Sequence, residues 1–253
     1  MEEPLISVVV TTFNRKDLLK ETLDSIINQT YKNIEILVVD NFSEYDFFEH
    51  VNSFNDSRIT PFQNQNNGII AVNRNFALKK AKGEYVAFCD DDDIWMPEKL
   101  ERQLELAFKN ENCVVHTDMI CFGENIEMYP ANGHKINSYS DMIRENNIFL
   151  SSTLMTKSNN LIFDEDPLVR AAEDFSLWLN LYNMGYKFCY LPHPMVRYRI
   201  NINSASNDNK KFSYLRFNYV VLKNILSNEI TDVSFFLLIK IFILNIIKFS
   251  IKK

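Results

Sequence analysis

The chain has 253 residues, 46% of them hydrophobic, which is enough to bury a substantial core as one large α/β domain or two small ones. Its formal net charge of -6 argues against general nucleic-acid binding, because replacing phosphate counterions needs a basic surface. The four cysteines show no CxxC or metal-ligand spacing, which is typical of reduced core thiols. The N-terminus is acidic and lacks the basic region of a signal peptide, so we expect a cytoplasmic protein.

The first half of the chain alternates strand patterns with helix patterns. Near-continuous apolar runs predict buried strands at 5–13, 34–40 and 83–89, and a shorter strand, limited by its proline, at 57–62. Apolar residues at helical spacing predict helices at 16–28, 45–54, 70–81 and 97–110. This alternation implies parallel strands joined by right-handed crossovers, and therefore an α/β fold.

The second half is less regular. Strand patterns occupy 113–122, 151–158 and 186–192, and an amphipathic helix pattern runs over 170–184 and ends at a glycine. The polar stretch 123–147 is predicted to be mostly loop, and the chain from about residue 208 is predicted to be helical.

Three polar clusters follow predicted strands of the first half: Thr11 to Arg15, Asp40 to Ser43, and Asp90 to Asp93. Ligands of open parallel sheets bind beyond the carboxyl ends of the strands. The topology alone therefore predicts a binding site where these three clusters meet.

The third cluster consists of four consecutive aspartates. Mg²⁺ and Mn²⁺ are held by one or two carboxylates together with substrate phosphates, and Asp90 and Asp92 are spaced to face the same side of an extended loop. The alternative is an acidic loop that starts the next helix, a role that we expect of Asp93. The position at the end of a strand favours the metal site.

The segment 234–253 contains no acidic residue. On a helical wheel its polar residues share one side: Ser234, Lys240, Asn245, Lys248 and Lys252. A broad apolar face with a cationic stripe is typical of a helix lying in a membrane interface, whereas two lysines in mid-segment argue against a spanning helix. The alternative is a helix that packs on the domain or on a second copy in a homo-oligomer.

The ordered motifs of the chain resemble the family 2 inverting glycosyltransferases of GT-A fold. They are "SVVVTTFNR", "ILVVDNFS", "NNGIIAVNRNFALKKAKGEYVAFCDDDDIW" and "AAEDFSLWL", and the resemblance covers roughly residues 5–206. It implies a GT-A (Rossmann-like) domain at 1–206, with a mostly parallel central sheet flanked by helices, a nucleotide-sugar half at 1–120 and an acceptor half at 121–206. Residues 207–253 would form a helical C-terminal extension that carries the membrane-associating helix.

The resemblance also implies the catalytic and metal-binding residues. Asp174 would be the general base, with Glu173 orienting it or sharing its proton. Asp90 and Asp92 would form the Asp-Xaa-Asp motif for Mn²⁺ or Mg²⁺, with Asp92 as the direct ligand.

The nucleotide-sugar contacts follow from the same resemblance. Thr11 and Asn14 would line the nucleotide pocket, and Asp40 would accept a hydrogen bond from the base. Arg74 would approach the ribose or phosphates, and Asp91 the ribose. From the residues alone, Arg74 could equally pair with an aspartate.

The chain departs from the family pattern in three places. "DNFS" lacks the second acidic residue and the glycine at 41–42, and Asn201 stands where the family often has a histidine. Residues 123–147, where acceptor specificity is expected, match no motif. Trp95 and Trp178 either shape the sugar cleft or pack in the core.

The sequence therefore predicts a metal-dependent transferase that moves a sugar from a nucleotide-sugar, with a UDP-sugar expected, to an acceptor of a bacterial surface glycan. A lipid-linked acceptor would explain the cationic amphipathic tail, because such an acceptor lies at the cytoplasmic face of the membrane, where we expect the protein to be peripheral. A nucleotidyltransferase is the first alternative, but its glycine-rich loop is absent from "TTFNRKD". A non-catalytic membrane-associated binding protein is the second, although the acidic residues of the family motifs are present.

Overall fold

The computed structural model describes residues 3–123, 126–144, 148–158, 160–200, 210–228 and 238–244. The strands are β1 Ile6–Thr12, β2 Ile34–Asp40, β3 Ile59–Gln63, β4 Tyr85–Asp90, β5 Ile94–Trp95, β6 Cys113–Gly123, β7 Ile126–Ala131, β8 Thr153–Thr156 and β9 Lys187–Arg199. The helices are α1 Lys16–Ile27, α2 Phe47–Asn52, α3 Ile70–Lys80, α4 Lys99–Ala107, α5 Tyr139–Arg144, α6 Glu173–Asn183 and α7 Lys210–Asn228. Two 3₁₀ turns lie at Leu150–Ser152 and Pro167–Val169.

The strands form one sheet in the order β3-β2-β1-β4-β8-β6-β9-β5, with β7 paired to β6. The first four strands in this order are parallel, as their alternation with helices predicts. In the second half β6 and β9 are parallel, while β8, β7 and β5 each pair antiparallel to a neighbour. The predicted α/β class and its parallel core are confirmed.

The strand register places the polar clusters next to one another. Thr12 at the end of β1 pairs with Asp40 of β2, and Thr11 pairs with Asp90 of β4. The carboxyl ends of β1, β2 and β4 therefore meet at one edge, which is where the sequence predicts the site.

Apolar side chains alternate between the two faces of the sheet. Val9 and Phe88 point to the face covered by α3, α6 and α7, and Val8 and Ala87 point to the face covered by α1 and α4. Such burial on both faces explains the near-continuous apolar runs of these strands.

Both tryptophans belong to the core, so the packing interpretation is confirmed. Trp178 is fully buried and Trp95 nearly so. Their indole N–H groups donate to the carbonyl oxygens of Ile148 and Ser151 respectively.

The predictions for the second half were partly wrong. The stretch predicted as loop contains β7 and α5, and β9 continues to Arg199 through Pro192 and Pro194. Its pairing with β6 shifts register near Asp118, and this irregularity accommodates the prolines in the strand.

The described part of the C-terminal extension is helical and packs on the domain. In α7, Val220 and Val221 are buried against α6. Residues 238–244 are also helical, and Leu238, Ile241 and Phe242 pack against the same core. Among the described residues, no helix combines the length and apolar character needed to cross a membrane. The rest of the predicted interfacial helix, the expected domain boundary at 206 and Asn201 lie outside the described residues.

Candidate active site

The loop after β4 is held by residues that follow β1. Asp91, which is 5% exposed, accepts hydrogen bonds from the Thr12 hydroxyl at 2.7 Å and from Arg15 at 2.8 Å. The same Arg15 nitrogen lies 2.8 Å from a carboxylate oxygen of Asp92. Burial raises the pKa of Asp91 to about 6, with Arg15 opposing and Asp92 adding to the shift. One arginine thus offsets the repulsion between two neighbouring aspartates.

Asp93 faces the interior and has a different role from the expected one. It is fully buried, and its carboxylate accepts the backbone N–H of Arg199 at 3.1 Å. The Arg199 side chain donates to the Asp92 carbonyl at 3.0 Å and pairs with Glu21. Because α4 begins at Lys99, with Glu98 at the preceding position, the prediction that Asp93 starts this helix was wrong. Burial raises the pKa of Asp93 well above the ordinary range.

Residues 90–93 after β4 form what we call the aspartate loop. Arg74 of α3 connects this loop to the start of α6. Its guanidinium lies 2.9 Å from Asp90, 2.9 Å from Asp174 and 3.2 Å from Glu173. It is 4% exposed and lies over the Phe163 ring at 5.3 Å. Burial favours the neutral form, but the three carboxylates outweigh it and raise the pKa of Arg74. The arginine pairs with aspartate, which is one of the two roles that the sequence left open.

Asp174 and Glu173 form the first turn of α6, where the helix dipole favours negative charge. Although 31% of the Asp174 side chain is exposed, burial of the rest among the neighbouring groups raises its pKa to about 7. Arg74 opposes this shift, and the charges of Glu173 and Asp90 add to it. The second carboxylate oxygen of Glu173 is buried with no hydrogen-bond partner in the part of the chain that the structure describes. A carboxylate whose pKa lies near neutrality is well suited to accept a proton.

The loops after β1 and β2 are joined by polar contacts around Asp40. Its buried carboxylate accepts from the Ser43 N–H at 2.9 Å, from the Ser43 hydroxyl, and from the Gln63 amide at 3.0 Å. Asn14 donates its N–H to the Ser43 hydroxyl and accepts the Glu44 N–H through its side chain, both at 2.7 Å. Asp40 and Asn14 therefore lie in one network.

Thr11 lies on the other side of β1 from Thr12. It is 6% exposed and pairs with Asp90 across the strand register. The side chain that bonds the aspartate loop belongs to Thr12.

The second half of the chain supports Asp90 through the 3₁₀ turn before β8. The Ser151 hydroxyl accepts the Asp90 N–H at 3.0 Å, and the Ser151 carbonyl accepts the Trp95 indole N–H at 3.0 Å. The buried amine of Lys99 lies 3.9 Å from the Trp95 ring centroid.

Four residues that position this loop have no role predicted by the sequence: Thr12, Arg15, Ser151 and Arg199. Thr12 and Arg15 lie inside the first predicted polar cluster, and the parallel register could have singled them out. Ser151 and Arg199 carry no local signal.

The aspartate loop meets the chemical requirements of Mg²⁺ or Mn²⁺ only in part. Asp90 and Asp92 provide hard oxygen donors, but no group of three histidine, cysteine, aspartate or glutamate side chains suited to a metal occurs among the described residues. This donor set fits the mode in which one or two carboxylates hold the ion and substrate phosphates complete its shell.

Comparison with known proteins identifies the family. The sequence model of glycosyl transferase family 2 matches residues 7–167. The chain belongs to this family. It is 33% identical, over 87% of its length and 86% of the relative's, to the Escherichia coli UDP-Glc:alpha-D-GlcNAc-diphosphoundecaprenol beta-1,3-glucosyltransferase WfaP. It is 29% identical to the putative teichuronic acid biosynthesis glycosyltransferase TuaG of Bacillus subtilis, over 83% of its own length and 84% of that chain.

Solved structures share the fold of this family 2 enzyme. S. aureus TarS 1–349 in complex with UDP-GlcNAc superposes with a TM-score of 0.71 at 20% identity, covering 97% of this chain and 73% of that one. This chain spans 44% of the longer TarS structure. The Pyrobaculum calidifontis mannosyltransferase PcManGT, solved with GDP-Man and Mn²⁺, gives a TM-score of 0.63 at 19% identity, covering 99% of this chain and 71% of that one. The predicted GT-A fold and the predicted glycosyltransferase family are confirmed.

Proposed function

We propose that this glycosyltransferase is a metal-dependent inverting enzyme that transfers a sugar from a UDP-sugar to a hydroxyl group of a lipid-linked acceptor in bacterial surface polysaccharide synthesis. The observation that carries the proposal is the position of Arg74, whose guanidinium contacts both Asp90 and Asp174 at 2.9 Å. An inverting displacement needs a base for the attacking hydroxyl and positive charge near the leaving diphosphate. Arg74 brings the predicted residues for both tasks to one place.

Asp174 is the proposed general base. Its carboxylate takes the proton of the acceptor hydroxyl while the hydroxyl oxygen bonds to the anomeric carbon from the side opposite the diphosphate. The bond from that carbon to the diphosphate oxygen breaks, and the nucleoside diphosphate leaves with the electron pair. Glu173 and Arg74 orient Asp174, and the raised pKa of Asp174 favours uptake of the proton.

Asp90 and Asp92 are the proposed holders of Mn²⁺ or Mg²⁺. Such an ion, when bound, supplies positive charge next to the diphosphate. Arg15 and Ser151 position these two aspartates through the contacts described above.

We assign the nucleotide pocket to Thr11, Asn14, Asp40 and Asp91. All four lie on or directly after the adjacent ends of β1, β2 and β4. At the position of the family glycine, Phe42 adopts a φ of 60°, so the loop keeps the left-handed conformation that glycine usually supplies.

Two E. coli relatives support the choice of donor and acceptor. WfaP and WfgD are both named as enzymes that use UDP-Glc and GlcNAc-diphosphoundecaprenol, and WfgD is 28% identical over 100% of this chain. We therefore propose a UDP-hexose donor and an acceptor linked to a polyprenyl diphosphate.

The exposed apolar residues of the C-terminal helices support contact with the lipid that carries such an acceptor. They are Leu215, Leu222 and Leu226 of α7, and Ile239, Ile243 and Leu244 of the last described helical segment. We propose a peripheral position on the inner face of the cell membrane, with a homo-oligomer interface as the alternative use of this surface.

The reaction is tested with the purified full chain, a panel of UDP-hexoses and a synthetic alkyl-diphosphate-linked N-acetylglucosamine. Transfer should require Mn²⁺ or Mg²⁺ and give an inverted linkage by NMR. Asp174→Asn should bind UDP-sugar but lose about 10²-fold or more in transfer, the weight of a general base. Asp17→Asn, on an exposed residue of α1, is the matched control. Full transfer in excess EDTA contradicts the metal role, and unchanged transfer by Asp174→Asn places the base elsewhere.

Membrane contact is tested by sedimentation with anionic phospholipid vesicles. The full chain should sediment with the vesicles, and a chain ending at residue 233, which keeps the exposed leucines of α7, should sediment much less. Lys240→Glu should weaken the binding at low salt. Equal binding by the shortened chain would assign the contact to another surface.

A further inference from the structure

A second polar cluster lies on the sheet, away from the residues assigned above. It consists of His116 and Asp118 of β6, Tyr190 of β9, and Gly133 and His134 after β7, and we call it the histidine pocket. The rings of His116 and Tyr190 are stacked, with centroids 5.3 Å apart. One carboxylate oxygen of Asp118 accepts both the Tyr190 hydroxyl and the Gly133 N–H. The proposed mechanism uses none of these side chains.

The two histidines are unusual because their ring nitrogens lack a hydrogen-bond partner in the described part of the chain. His116 is 0% exposed, and both of its ring nitrogens and both of those of His134 are buried without a hydrogen bond among the described residues. An unpaired buried polar atom loses its hydrogen bonds to water without gaining new ones, so native proteins rarely leave one. Four such atoms in one place, unpaired by any described residue, are available to a bound molecule.

The chemistry of the pocket favours a neutral, polyhydroxylated ligand. Burial and the neighbouring His134 lower the pKa of His116 to about 4, so this ring is neutral at physiological pH and has one donor and one acceptor nitrogen. A hydroxyl group also donates and accepts, and it therefore matches such a ring.

The stacked rings of His116 and Tyr190 lie directly against the backbone of Gly133. A Cβ atom at this position would lie 3.2 Å from the His116 Nδ1 atom and 3.0 Å from the Tyr190 ring. Any larger residue here would displace one of the two rings, so glycine is needed to keep the His116 nitrogen in its place.

The strand register places the pocket beside the active site. Met155 of β8 pairs with Val86 of β4 on one side and with Val114 of β6 on the other. Asp90 and Asp118 each come four residues further along these two parallel strands. They therefore lie near the same edge of the sheet, on the order of 10 Å apart across two strand spacings. Side-chain alternation puts both on the sheet face that α6 covers, where Asp174 lies. One bound saccharide can span this separation.

We propose that the histidine pocket binds hydroxyl groups of the acceptor sugar and thereby selects which acceptor reaches Asp174. The inference rests on the proposed glycosyl transfer and names the acceptor-recognition residues of that site. The segment that contributes Gly133 and His134 belongs to 123–147, where acceptor specificity is expected.

The kinetic test removes the nitrogens and keeps the rings. His116→Phe and His134→Phe should each raise the KM for the alkyl-diphosphate-linked N-acetylglucosamine by tenfold or more, while the KM for the UDP-sugar stays the same. His193→Phe, on an exposed histidine of β9, is the matched control. Gly133→Ala keeps both histidines but displaces the His116 or the Tyr190 ring, and it should raise the same KM while the KM for the UDP-sugar stays the same. A wild-type acceptor KM in all three pocket variants overturns the proposal.

A second readout does not depend on turnover. The same acceptor is titrated into the wild-type chain carrying ¹⁵N-labelled histidine, and the imidazole nitrogen signals are followed by NMR. The signals of His116 and His134 should shift and that of His193 should not. Unchanged signals, as a permanently buried water bridging the two rings would give, overturn the proposal. Absence of any UDP-sugar turnover by the wild-type chain would instead refute the proposed function.

Discussion

Replacement of Arg74 by glutamine should strongly destabilise the folded protein, and more at high pH than at low pH. Glutamine has a shorter, neutral side chain and leaves Asp90, Asp174 and Glu173 near one another without the cation that they share. Removing one partner of a buried ion pair costs about 3–5 kcal/mol, because the remaining charge stays desolvated.

The exposure of the three carboxylates decides how much of this cost applies to the loss of Arg74. The side chains of Asp90 and Asp174 are 34% and 31% exposed, so water can compensate them in part, and each contributes at most about 1 kcal/mol. Glu173 is 10% exposed, and its charged hydrogen bond is worth about 1.5–3 kcal/mol. We therefore expect Arg74→Gln to lower the free energy of unfolding by about 3–4 kcal/mol at neutral pH. Arg74→Lys keeps the charge but cannot reach three carboxylates, so it should lower the free energy of unfolding by about half as much.

The pH dependence follows from Asp174. Its pKa is about 7 with Arg74 present and must be higher without it, because Arg74 lowers this pKa. Below pH 7 Asp174 is protonated in both proteins, so it no longer contributes to the difference in unfolding free energy between wild type and variant. Above pH 7 the folded variant must ionise a carboxylate that has lost its arginine, so this difference grows. Urea unfolding between pH 5 and pH 9 measures this trend, with Arg102→Gln as a surface control worth about 0.5 kcal/mol. A loss below 1 kcal/mol, or one that is largest at pH 5, would refute the reasoning.

Three further predictions concern groups around the same site. Glu173→Gln should move the acid limb of the kcat profile to lower pH, because the charge of Glu173 raises the pKa of Asp174; an unmoved limb would contradict this coupling. Ser151→Ala, which removes the hydroxyl that accepts the Asp90 N–H, should raise the Mn²⁺ concentration for half-maximal transfer several-fold in a metal titration. Burial lowers the pKa of Lys99 to about 7, so the unfolded chain binds more protons between pH 7 and 10 and urea midpoints should rise over that window; Lys99→Met should abolish the rise.

The location of the candidate site could be predicted because it depends on local patterns. The runs that end at Thr12, Asp40 and Asp90 are apolar over a full strand length, so they fold as buried parallel strands in most contexts. A polar residue directly after such a run must lie at the carboxyl edge of the sheet. No contact with a distant residue is needed to make this inference.

The side-chain partners could not be predicted in the same way. Arg15 and Asp91 are separated by 76 residues, and Arg74 and Asp174 by 100. Such pairs have no sequence period, and only the order of strands in the sheet brings them together. The length of β9 was underestimated for a related reason, since Pro192 and Pro194 locally resemble the end of a strand and are tolerated where the pairing with β6 is irregular.

The contacts of the aspartate loop bear on how the proposed metal and donor would bind. Asp92, the proposed direct ligand, already lies 2.8 Å from Arg15, and Asp90 lies 2.9 Å from Arg74, so the chain's own cations compensate both carboxylates. A divalent ion alone must compete with these arginines and should bind weakly. A nucleoside diphosphate changes the balance, because it offers the arginines an alternative anion with suitable geometry for their forked donors while adding oxygen ligands for the ion. The arrangement therefore favours binding of the ion together with the diphosphate rather than before it.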